Sequence, residues 1–269
     1  MGSEVEAERA RLRAECQRRS GRRTAEAATH FGVRVQRGSK NGLRLVREEY
    51  ARINKRSSFH VPRELHPAYW DARAGDFDDD EHRFYTDEWC EHQREEALEN
   101  FDLNIAFMRS LDAAEFEEMV TEHVASRVNM RPVHDLNEWD HKPGIYVMVL
   151  DDYRQVYVGT TSASVGVKER VRQHWRATKP FDRLLFGGVD DSILSVDSFR
   201  ALDTTRIFAL TSKKAYDIET PLVESIPPKF RLNRIVGGEG RMIGVLAGLR
   251  VDIVKRRDLH ASSHESTLD

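Results

Sequence analysis

Residues 144–158 read Gly-Ile-Tyr-Val-Met-Val-Leu-Asp-Asp-Tyr-Arg-Gln-Val-Tyr-Val, two short apolar runs on either side of a polar break. β-branched and aromatic side chains favour an extended, half-covered backbone, and Asp151-Asp152 is a turn signal. The pattern predicts a hairpin, Gly144–Leu150 and Gln155–Val158. Working downstream, Gly159 to Ser164 reads as loop, and Val167–Thr178 as a helix with Val167, Val171 and Trp175 on one stripe. Arg206–Leu210 is a third strand and Tyr216–Ser225 a helix that Pro221 should bend or restart. Pro227-Pro228 stops it, and Phe230–Val236 continues as an extended piece. The fold class expected is α+β: a domain at 140–240 with a short antiparallel sheet of about three strands flanked by helices.

Upstream, residues 1–139 are expected to be a mainly helical region serving recognition, dimerisation or regulation. Helices are expected over 3–29, 43–55, 87–109 and 112–128, the last opened by an Asp112/Glu115 box. Residues 31–42 read as a loop or short hairpin, and Arg18, Arg19, Arg22 and Arg23 as either a solvated face or a basic arm. Residues 62–81 read as loop, with Asp76–Glu81 a solvated acidic turn. It lacks the glycine and the final glutamate of a calcium-binding loop, Asp87 standing at the twelfth position. Residues 241–269 form a C-terminal extension, an apolar Met242–Val254 piece and then a polar tail.

The 269-residue chain is 39% hydrophobic, enough for a core, yet no run approaches the roughly 20 apolar residues of a membrane span. Its charged beginning lacks a secretory block, and Cys16 and Cys90 form no paired motif, so a cytoplasmic protein without a membrane partner is expected. Residues 141–269 carry 20 Lys and Arg against 16 Asp and Glu, while residues 1–140 carry 22 against 29. A mildly basic half beside an acidic one is compatible with a polyanion-binding module joined to something else.

Gly144-Ile145-Tyr146, ten intervening residues, then Tyr157-Val158-Gly159 resembles the signature of the GIY-YIG nucleases. Further elements follow in the same order: Arg170 with His174 four residues on, Glu219 before Leu222-Val223, and Asn233 after the proline turn. A spacing of four sets Arg170 and His174 on one helix face. Arg172 is the alternative to Arg170, and Glu224 to Glu219. Each residue alone has an ordinary structural reading; together they form a set.

The resemblance implies a metal-dependent endonuclease hydrolysing DNA phosphodiester bonds, of restriction or defence type. It implies Tyr146 as general base and Tyr157 orienting water or phosphate. Arg170 would supply counter-charge, since a guanidinium is always charged and fits phosphate oxygens bidentately. His174 would assist proton transfer or bind phosphate, and Asn233 would brace the floor. Glu219 would hold one Mg²⁺, or Mn²⁺, with water and substrate oxygens completing the shell. A phenol is a poor base until a cation lowers its pKa, a task given to Arg170 and the metal. Arg172, Arg176, Lys179 and Arg183, with Arg200, are candidate nucleic-acid contacts. Cutting both strands with one site per chain would call for a homodimer. The competing readings are an inactive scaffold kept as a binding or interaction module, and a triggered effector nuclease.

Overall fold

The computed structural model describes residues 27–36, 43–53, 55–57, 64–65, 67–176 and 194–233. It is a mixed α+β arrangement. In chain order the elements are β1 (Ala27–His30), β2 (Val33–Gln36), α1 (Arg47–Tyr50), α2 (Pro67–Asp71), α3 (Asp87–Ser110) and α4 (Ala113–Val120). There follow β3 (Arg131–Pro132), β4 (Gly144–Leu150), β5 (Gln155–Thr161), α5 (Gly166–Arg176), β6 (Arg206–Thr211) and α6 (Ala215–Ser225). No helix among the described residues is long and apolar enough to cross a membrane.

The main sheet is antiparallel in the order β3-β6-β4-β5. It has four strands where about three were expected, because β3 from the N-terminal region adds to the β6 edge. Strand alternation gives the sheet two faces. On one, Tyr146, Met148, Leu150, Ile207 and Ala209 pack with Val167, Val171 and Trp175 of α5 and with Val33, Leu43, Tyr50 and Phe107. On the other, Ile145, Val147, Val149, Val156, Val158 and Phe208 meet Leu222 and Val223 of α6 and Phe116, Met119 and Val120 of α4. Both cores therefore run straight across the boundary expected at residue 139.

Several expectations for the N-terminal region change. Ala27–Thr29, the end of the expected first helix, is extended, and with His30 it pairs with Val33–Gln36 around Phe31-Gly32. Both turn residues have positive φ, +45° and +70°, the geometry of a two-residue hairpin turn. Of the expected helix 43–55 only the single turn α1 forms. The backbone before it is captured elsewhere: Leu45 N–H donates to Asp203 at 2.8 Å, and the Leu43 carbonyl accepts from Leu202 at 3.0 Å. Within the expected loop 62–81 lie α2, with proline at its first position where no N–H is needed, and a short turn Ala74–Asp76. Trp70 and Phe77 there pack with Tyr85 into a small separate cluster.

α3 and α4 fall where their periodicity placed them, each capped by a side chain: Thr86 accepts from Trp89 N–H, and Asp112 from Glu115 N–H. α4 ends at Val120 and the chain widens into a single looser turn, Thr121–Ala125. α6 is not broken by Pro221. The proline and Asp217, whose carbonyl it leaves unbonded, are both exposed, so water can serve that carbonyl. Residues 1–26, Lys179, Arg183 and residues 234–269, including the Met242–Val254 piece, lie outside the described residues.

Candidate active site

β4 and β5 pair with Tyr146 opposite Gly159 and Met148 opposite Tyr157. Opposed residues share a face, so the two tyrosines are diagonal neighbours on the α5 side, their ring centroids 6.3 Å apart. A glycine stands at 159 for a direct reason: a Cβ there would lie 2.3 Å from Tyr146 Oη. Gly144 is similarly constrained, since its Cβ would fall 1.9 Å from the Leu210 carbonyl oxygen on β6.

α5 lays its Val167, Val171 and Trp175 stripe on this face and delivers Arg170 and His174 beside the phenols. Tyr146 Oη lies 2.8 Å from His174 Nε2, and His174 Nδ1 lies 2.5 Å from Asp197 Oδ1. A carboxylate can only accept, so in the neutral ring Nδ1 carries the proton and Nε2 accepts from Tyr146. The Tyr157 ring packs beside that of Tyr146 and meets His174 edge-on at 5.0 Å. Tyr146, His174 and Asp197 thus form one hydrogen-bonded chain, with Tyr157 beside its outer end. Its members are buried, at 0% exposure for Tyr146, 4% for His174 and 8% for Asp197, while Tyr157 is only partly buried.

Electrostatics separate the two phenols. Burial pushes Tyr146 well above its ordinary value, the neighbouring Tyr157 adds to this, and Arg170 pulls only partly back. Tyr157 is pushed up to about 12, again by burial first; Arg170 opposes the rise, Asp197 and Glu219 add to it, and the nearby Tyr146 hydroxyl eases it. The expected lowering of Tyr146 by Arg170 is therefore overcome by desolvation, and both phenols are held protonated. For Arg170, burial works against the charge, but the phenols and Asp197 outweigh it and hold the guanidinium firmly protonated. The side chain is exposed overall and also donates to Gln173 at 3.1 Å.

Glu219 comes from α6, on the opposite face of the sheet. It is buried at 5% exposure, and Thr160 Oγ1 donates to its Oε2 at 3.2 Å. Thr160 points away from the phenols, so the acid does not share their pocket. It flanks the outer edge of β5, close enough for its charge to raise Tyr157. Glu224, the alternative acid, is exposed. Asn233 binds the same strand edge like a paired strand residue: its Oδ1 accepts from Val158 N–H at 3.0 Å, and its Nδ2 donates to the Val158 carbonyl at 2.8 Å.

Among the expected nucleic-acid contacts, Arg172 and Arg176 are both paired to Glu169, at 3.2 and 2.7 Å. Arg200 is buried at 6% exposure and donates to the carbonyls of Asp197 and Phe199, so it is a brace and not a surface cation. Two residues join the site that the sequence did not single out. Thr160 falls in the expected loop 159–164, whereas β5 runs on to Thr161 and makes it a strand residue. Asp197 lies in the long connection before β6, where cations alone drew attention. Among the described residues no group of three or more His, Cys, Asp or Glu side chains could enclose a metal ion. A lone carboxylate with a hydroxyl beside it is an oxygen-only set of the kind Mg²⁺ accepts when water and phosphate complete its shell. Compared with models of protein families, with curated proteins and with solved structures, the chain has no match.

Proposed function

We propose that this chain is a metal-dependent endonuclease of the GIY-YIG kind, hydrolysing DNA phosphodiester bonds in a restriction or defence role. The observation that carries the reading is the polar chain of Tyr146 and His174, with half-buried Tyr157 beside its outer end and the Arg170 guanidinium beside both phenols. Packing alone does not call for it. Burying hydroxyls and an imidazole costs free energy that an apolar face avoids, and the cost is repaid only if each group is hydrogen-bonded.

The chemistry follows from the geometry. Tyr157, only partly buried, meets the attacking water; Tyr146, with no exposed surface, passes the proton inward and is not itself the base that touches water. As the water oxygen bonds to phosphorus, its proton moves to Tyr157 Oη. The Tyr157 proton moves to Tyr146, and that of Tyr146 to His174 Nε2. The bond from phosphorus to the departing oxygen breaks, and that oxygen takes a proton from solvent. Arg170 offsets the charge building on the phosphoryl oxygens, a contribution typically worth about 10²–10³-fold in rate. Glu219, with Thr160, is the residue that would hold a Mg²⁺ or Mn²⁺ ion, whose positive charge would favour departure of the leaving oxygen.

Incubation of supercoiled plasmid with Mg²⁺ tests the reading. The wild type should cut, whereas Arg170→Ala and Glu219→Ala should each lose about 10²-fold or more. Cleavage retained by both variants would remove the assignment.

A further inference from the structure

We propose that Asp197 is a positioning residue: it fixes the ring of His174 so that Nε2 faces Tyr146 as an acceptor, and thereby sets the direction in which the phenol chain passes its proton. The proposal rests on the hydrolase reading above.

Direction is the central point. A neutral imidazole has one N–H, and the partner of one nitrogen decides the role of the other. With Asp197 accepting at 2.5 Å from Nδ1, the lone pair of Nε2 is left for Tyr146 at 2.8 Å. Tyr146 Oη then donates to His174, with the Tyr157 ring and the Arg170 guanidinium beside it. Were the proton on Nε2 instead, the imidazole would donate to Tyr146, and the chain would have no inner acceptor. Among the described residues, the titratable and charged groups facing the ring include Tyr146 and Tyr157 from the sheet, Asp197 from its own segment, and Arg170 one turn back on α5.

The segment carrying Asp197 is built to keep it there. Ser195 Oγ accepts from Asp197 N–H at 3.4 Å, and Arg200 Nη1 donates to the Asp197 carbonyl at 2.8 Å. Leu194 N–H donates to Asn104 of α3 at 3.2 Å, and Asp203 accepts from the N–H groups of Arg200 and Leu45, both at 2.8 Å. The Thr204 carbonyl meets His30 Nε2 at 2.7 Å, while its hydroxyl accepts from Trp175 Nε1 at 2.9 Å. The N-terminal region thus mounts the residue that orients the catalytic imidazole. That arrangement also explains why one core spans residues 33–232.

The test is nitrogen-edited NMR of His174 in the full chain, assigned with His174→Gln, on the wild type and on Asp197→Asn, a near-isosteric change. In the wild type the neutral ring should carry its proton on Nδ1. An opposite charge beside an imidazole favours its protonated form, so in Asp197→Asn the titration midpoint should fall by about 1–2 pH units. The acid limb of the cleavage profile should move to lower pH with it, and the rate should drop about 10²-fold or more. On the His174→Gln background, Asp197→Asn should add less than about a threefold loss, as expected for two residues acting as one unit. An unchanged midpoint, or an equal loss in both backgrounds with an unshifted limb, would overturn the proposal. If Asp197→Asn does not fold, the wild-type ring decides: a neutral form protonated on Nε2 overturns it, and one protonated on Nδ1 supports it. A wild type with the Nδ1–H ring that cuts no DNA refutes the hydrolase reading while supporting the Asp197–His174 assignment.

Discussion

The two faces of the main sheet are made from the same strands and carry opposite chemistry. Toward α6 the strands present Ile145, Val147, Val149, Val156 and Val158, all at 0% exposure, against Leu222 and Val223. Toward α5 the same strands interrupt their apolar row with Tyr146 and Tyr157, and the helix answers with His174. An apolar face is held by area removed from water and asks only for volume. A face with buried hydroxyls and an imidazole must satisfy each polar atom, and gains less stability for the effort. The difference teaches where the chain keeps polar groups that folding does not require.

Three perturbations should separate the faces. The largest effect on folding belongs to the apolar one: Leu222→Ala, at a site with 0% exposure, should destabilise the protein by about 2–5 kcal/mol in denaturant titration. Cleavage per folded molecule should stay at the wild-type level, and a loss of intrinsic rate would mean that the faces are not independent. On the polar face, Tyr146→Phe removes the hydroxyl bonded to His174 and leaves buried Nε2 without that partner, at a cost of about 1–3 kcal/mol. A neutral or stabilising result would show that the hydroxyl chain is not formed.

The smallest effect is a matter of pH. A phenol held protonated by the fold contributes stability that is fully present below about 10, its ordinary pKa. That contribution is lost as pH rises through the folded value, about 12 for Tyr157, with Tyr146 raised in the same direction. Between these limits the unfolded chain has released protons that the folded one still holds, so stability falls with rising pH. Melting temperature should therefore drop between about pH 10 and 12. The drop should be shallower in Tyr157→Phe, and an identical slope in both proteins would show that the phenol is not shielded.

Much of this was legible in the sequence, for reasons that differ along the chain. β4, β5 and α5 were readable because their periods are local and their apolar residues point one way. The pairing of Arg170 with His174 needed only helical spacing. The α5-side phenols were legible as a set, but their burial was not, so Tyr146 was read as a base that a cation could reach. Glu219 was picked out by its neighbours Leu222 and Val223, whereas its side of the sheet follows from where α6 crosses, which no local pattern encodes. The expected helix at 43–55 failed because Leu43 and Leu45 give their backbone bonds to Leu202 and Asp203. Asp197 was invisible for the same reason: its partner lies 23 residues earlier, and only the folded chain brings the two together.

The most direct test of the central claim is the single-turnover rate of plasmid cleavage by Tyr157→Phe against the wild type, in Mg²⁺ at neutral pH. Removing one hydroxyl from the outer end of the proton chain should slow cleavage by about 10²–10⁴-fold, with the fold intact by circular dichroism. A folded Tyr157→Phe protein that cuts at the wild-type rate would contradict the account.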